Sequence, residues 1–234
     1  MYPETVDDAD HKLSKAVLVG NAACAALSLA ASIPNRGSRN ALSLLALAVG
    51  LPAIGELLAV GPLKLLQHRT RPRVAGVPVG ILLGWYCAIN GSLSVAEDLL
   101  ARLPVDGRQR RIVLPPVAAM VGVSLDLILD PAGLEAGLWE WNMDGAYANE
   151  IDGANENSGV PIINYVGWAM LVSSVVYIHK RTSKDHLLTN QRPALLLLPH
   201  YIAAVIWALQ RRRFRYLLYS APFPIALGIG LWER

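Results

Sequence analysis

ALSLLALAVGLPAIGELLAVGPL, residues 41–63, decides the fold. Only Glu56 is ionisable across this run, and its length suits the ~20 apolar residues with which a helix crosses a bilayer core. Six further runs of similar character lie at about 16–33, 77–96, 112–129, 160–179, 193–209 and 214–232. A closed barrel would instead need alternating segments of about ten residues, and the sequence has none. The expectation is an all-α, polytopic integral membrane protein: about seven transmembrane helices in one bundle, with residues 1–234 forming a single domain.

Composition agrees. Of 234 residues, 53% are hydrophobic and 17% charged, with mean hydropathy +0.36; a soluble domain carries roughly 25% charged residues. The charges bunch between the apolar runs. A net charge of +3 therefore does not point to nucleic acid. The clusters HRTRPR (68–73) and RRRFR (211–215) border apolar runs, where lipid headgroups are the expected neighbours. The start carries Glu4, Asp7, Asp8 and Asp10 and lacks the basic region of a secretory signal peptide, so the first run is expected to be retained. Seven spans put ten lysines and arginines on one side and eleven on the other, and the positive-inside rule does not choose between them.

Cys24 and Cys87 both fall within apolar runs and are expected to be small packing residues. The histidines at 11, 68, 179, 186 and 200 show no paired spacing, so no metal or other cofactor is expected, and His200 is expected to be a hydrogen-bonded packing residue. Carboxylates inside spans are the sharper signal. Each costs at least ~2.5 kcal/mol to insert, so such residues usually face a bundle interior and act there. Glu56 lies well inside the second run. Asp126 and Asp130, four apart in SLDLILDP, share one helical face; alternatively Asp130, before Pro131, serves to end the helix.

One connection stands apart. Residues 137–168 read GLWEWNMDGAYANEIDGANENSGVPIINYVGW, with three Trp, two Tyr and no Lys or Arg. The polar acidic connection 130–159, which overlaps it, is expected to fold back as a lid with Trp139 and Trp141 roofing an apolar cavity; the other reading is an interfacial anchor. Trp85, Tyr86, Asn90, Asn164, Tyr165 and Trp168, with Asn21, are expected to line that cavity.

Four stretches in this order resemble the membrane carotenoid biosynthesis protein family, which includes the carotenoid hydratases of CruF type: Glu56 to Gly61, VAGVPVGILLGWY (74–86), LDLILDPAG with LWEW (125–141), and GVPIINYVGW (159–168). The resemblance implies an apolar isoprenoid or carotenoid substrate in membrane lipid, and addition of water to a terminal isopropylidene double bond. That chemistry sets its own demands. A trisubstituted alkene must be protonated to a tertiary cation, which needs a carboxylic acid kept neutral by an apolar setting; Glu56 fits this best. Asp126 or Asp130 would orient water or take its proton, and indoles would face the cation. The same first step serves a membrane terpene cyclase. A non-enzymatic isoprenoid transporter or binding protein is a further reading, whereas a retinal Schiff base is not, because Lys12, Lys15, Lys64, Lys180 and Lys184 all lie outside the last run.

Overall fold

The computed structural model describes residues 8–104, 106–152, 157–183 and 192–232. The acidic start at 1–7, the 153–156 part of the acidic connection, Lys184 and His186 lie outside the described residues. Helices α1 (Asp8–Arg36), α2 (Ser38–Val60), α3 (Val79–Ala101), α4 (Gly107–Glu135) and α5 (Ile162–Thr182) follow the first five apolar runs. A sixth segment of spanning length, Arg192–Gln210, joins α6 (Arg192–Leu195) to α7 (Leu198–Gln210).

The seventh run is divided. It forms α8 (Phe214–Tyr219) and α9 (Pro222–Trp232), neither long enough to span alone. Pro222 has no N–H and disfavours helical geometry in the residue before it, so the chain breaks at Ser220 and Ala221 and restarts with proline in first position. The chain is thus a helical membrane bundle with six candidate spans among the described residues. Val19, Leu42, Ile54, Met120 and Met170 are exposed on its outside, as lipid solvent allows. Its axis is α3, where Tyr86, Ile89, Leu93, Val95 and Ala96 are completely buried.

Three short antiparallel ladders depart from the all-helical expectation. Strand β1 (Leu66–His68) pairs with β4 (Trp139–Trp141), β2 (Arg73–Val74) with β3 (Val77–Pro78), and β5 (Tyr147–Asp152) with β6 (Ser158–Val160). All of them lie in the α2–α3 and α4–α5 connections, so connectivity puts them at one end of the bundle. The arginines expected at headgroups meet protein carboxylates there. Arg69 pairs with Glu140, Arg211 and Arg213 pair with Glu135, and Arg213 and Arg215 pair with Glu150. Burial works against the charge on Glu150, but hydrogen bonds from the Tyr216 hydroxyl and Arg215 outweigh it and hold the carboxyl below its ordinary value. At the other end α3 runs beyond its expected limit and carries Glu97 into the interior, where Arg36 and Lys180 each approach it to 2.6 Å and tie α1 and α5 to α3.

Pro131 does not end α4, which continues to Glu135. A proline inside a helix leaves the carbonyl four residues back without its donor. That carbonyl is Leu127, and the Tyr147 hydroxyl donates to it at 2.7 Å. The acidic connection thus repairs the helix that precedes it, and Asp126 and Asp130 stay one turn apart on an unbroken face. Tyr147→Phe should cost about 1–3 kcal/mol, the penalty of an unsatisfied buried acceptor. In a Pro131→Ala background, which restores the backbone donor, the same change should cost much less. Unfolding in detergent measures both, and equal costs in the two backgrounds would dissociate Tyr147 from the proline.

Candidate active site

A cavity of about 540 Å³ opens between α3, α4, α5 and α7, with part of α1 and the β1–β4 ladder completing its wall. The lining is largely apolar and contains no Lys or Arg among the described residues. Onto it project Glu56, Asp126 and Asp130.

Each carboxyl is held by donors from another element. Glu56, near the end of α2, meets His68 Nε2 of β1 at 2.8 Å through one oxygen and accepts from the Trp85 indole N–H of α3 at 2.9 Å through the other. Asn164 opens the first turn of α5 and donates its amide to both Asp126, at 3.0 Å, and Asp130, at 2.7 Å. Asp130 also accepts from the Trp139 indole of β4. The helical period that stacks Asp126 over Asp130 is therefore read by one side chain spanning both.

The ladder supplies the indole face. Side chains in a strand alternate, and the register opposes Leu66 to Trp141, Gln67 to Glu140 and His68 to Trp139. Leu66, His68, Trp139 and Trp141 thus share the cavity side and all line it, while Glu140 turns away to Arg69. No bend is needed to bring both Trp side chains to one wall; positions two apart in a strand already share a face. Trp139 lies against Gly133 of α4, where an added Cβ would come within 2.3 Å of the ring. On the facing wall Trp85 and Trp168 stack with centroids 4.0 Å apart.

The cavity gathers Glu56, Asp126, Asp130, Trp85, Trp139, Trp141, Asn164 and Trp168, and also Asn21. Three residues read as lining lie elsewhere. Asn90 is completely buried between α1 and α3, where its amide donates to Ser32 Oγ at 3.0 Å and to the Tyr86 hydroxyl at 3.3 Å; both are helix-joining residues. Tyr165 packs edge-on against Tyr147 with centroids 5.2 Å apart, behind the wall. His68 and Trp207, not singled out from the sequence, also line the cavity, as does His200, expected only as a hydrogen-bonded packing residue. His68 was hidden in a cluster read as basic, although a carboxyl inside a span twelve residues earlier needs a partner. His200 meets Asn21 Oδ1 at 2.8 Å, a packing hydrogen bond at the cavity's edge.

If the alkene-protonation chemistry holds, Trp139→Phe, which keeps the ring contact with α4 yet strips Asp130 of its indole donor, should lower turnover by up to roughly thirtyfold through the 0.5–2 kcal/mol an indole face offers a cation. Gly133→Ala should act in the same direction by displacing the indole. A rate unchanged in both variants, measured on purified protein, would exclude Trp139 from the reaction.

The family comparison agrees with these features. The family model described as "Carotenoid biosynthesis protein" matches residues 15–232, nearly the whole chain, and the protein belongs to that family. No curated protein and no solved structure matches it.

Proposed function

We propose that this member of the carotenoid biosynthesis protein family adds water across a terminal isopropylidene double bond of an acyclic carotenoid, giving a tertiary alcohol. The observation that carries the reading is the meeting of three carboxyls with an indole-walled apolar cavity that bears no Lys or Arg among the described residues. Such a site can hold a hydrocarbon and still deliver a proton.

In the proposed reaction Glu56 is the acid. Its proton goes to the CH carbon of the double bond, and the π electrons form the new C–H bond, leaving a tertiary cation. The indoles of Trp85, Trp139, Trp141 and Trp168 present electron-rich faces to that charge. Water forms the C–O bond, and its surplus proton passes to Asp126, which has an oxygen beyond the one Asn164 holds. Asp130 is more fully engaged, by Asn164 and Trp139, and keeps the pair in place. His68, hydrogen-bonded to Glu56, is suited to returning the proton that completes the cycle. Residues 130–159 would act as the roof of this site and belong to the same single domain.

A terpene cyclase would use the same acid and the same indoles, with an internal alkene in place of water. The Asp126–Asn164–Asp130 group favours hydration, because it is a polar station able to orient water beside the cation. Expression in a lycopene-producing host decides the matter: the product should gain the mass of water, whereas cyclisation leaves mass unchanged. Glu56→Gln should abolish turnover while the protein still inserts and folds. Asp126→Asn should lower alcohol formation by about 10²-fold or more, as expected for a positioned base, and Asp130→Asn should cost less. Equal small losses at both aspartates would overturn these roles.

A further inference from the structure

The cavity is not closed towards the bilayer. Ala16 and Gly20 on α1 and Ala203 on α7 line it, and all three are themselves exposed, beside the exposed Val19 and Ile202. Such exposure in lining residues, next to exposed neighbours on the same helices, points to an open wall there. Among the described residues α1 packs on α2, α3 and α6, and α7 packs on α4 and α8; α1 and α7 do not pack along one another. Two polar links fasten the far end of the gap. Cys24 Sγ donates to the Leu196 carbonyl at 3.4 Å, and one helical turn nearer the ladders His200 meets Asn21. From there towards the ladder end the facing residues are Ala16, Val17 and Gly20 on one side and Ala203, Ala204 and Trp207 on the other. The neighbours Val19 and Ile202, about half exposed at 57% and 51%, continue the apolar surface outward.

Among the described residues the ladder end is instead held shut. The roof is pinned by the β1–β4 pairing, by Trp139 on Asp130, by Tyr147 on Leu127 and by the Arg69–Glu140 pair. A cavity of about 540 Å³ is of the size that encloses a drug-sized ligand, so a chain comparable in length to the ~30 Å hydrocarbon core must leave most of itself outside.

We infer that the slit between α1 and α7 is a lateral portal through which a long linear polyisoprenoid enters end-first from the lipid, with its terminal group reaching the carboxyls and the remainder of the chain lying in the bilayer against α1 and α7. Gly20 and Ala203 set the width of that portal. They act on access and chain length and not on the chemical step. The activity part of the test rests on the hydration reading; the binding part does not.

Gly20 suits the test because a Cβ there meets nothing within 4 Å, so a larger side chain fills the slit without disturbing the bundle. Gly20→Phe and Ala203→Phe, with Met170→Phe as a control on the outer surface of α5, would be reconstituted as full-length protein in liposomes. Each would receive either a long acyclic carotene or a ten-carbon hydrocarbon ending in the same isopropylidene group. The slit variants should lose about tenfold or more in kcat/KM for the carotene, chiefly through KM. The short substrate and the control should stay within about threefold of the parent. Quenching of intrinsic tryptophan fluorescence by the carotene should weaken in parallel in the slit variants, whatever reaction follows. Parent-like carotene binding and turnover in both slit variants would overturn the portal, as would equal losses for the two substrates. A parent protein that binds carotene through the slit but forms no water adduct would overturn the hydration reading and leave the portal standing.

Discussion

A carboxyl withdrawn from water must find hydrogen-bond partners, because an uncompensated buried charge costs several kcal/mol. Glu56, Asp126 and Asp130 impose this on one end of the bundle, and much of the architecture there answers it. The α2–α3 connection turns back as a strand to bring His68 to Glu56. The α4–α5 connection supplies a second strand that carries Trp139 to Asp130, and the first turn of α5 carries the asparagine, Asn164, that joins both aspartates. The partners are one neutral amide, two indoles and one imidazole, so the cavity keeps its apolar character while its acids are held in place. Lys and Arg, which would neutralise the carboxyls outright, are kept to the outside of the same ladders and paired with Glu135, Glu140 and Glu150.

The membrane fold was legible because it rests on a property every residue contributes to. Runs of apolar side chains long enough to span leave few alternatives, and the carboxyls within them were conspicuous by their cost. The six indole, amide and carboxyl positions from 126 to 168 could be grouped because α4 and α5 are neighbours in sequence and in space. The limits were just as physical. Tyr86 and Asn90 carry the same chemistry as cavity residues, but the face of α3 they occupy meets α1, and no period within α3 alone reveals which neighbour each face will find. The ladders, each only two to six residues per strand, are too short to leave an alternating pattern. The pairing of the RRRFR cluster with the acidic connection was readable in principle, since counting spans puts both on one side of the membrane. Seeing it requires treating the two connections as partners and not as separate contacts with lipid.

The two ends of the bundle handle buried charge differently. Around Glu97 a carboxylate is compensated by two cations and sealed, which fastens α1, α3 and α5. Around Asp126 and Asp130 the carboxyls receive hydrogen bonds but, among the described residues, no cation, and they face open volume. The first arrangement has no chemistry left to offer. The second leaves its carboxyls facing the cavity.

The repair of α4 by Tyr147 bears on how the chain enters the membrane. When α4 first partitions into lipid, the Leu127 carbonyl opposite Pro131 has no donor of its own, and an unsatisfied backbone group in hydrocarbon costs several kcal/mol. Its partner lies twenty residues further along, in a connection that takes shape only as α5 follows. Helix α4 is therefore incomplete as an independent insertion unit. It reaches its final stability as half of a hairpin with α5, so a ribosome that has delivered α4 alone has delivered a segment still dependent on the stretch about to emerge.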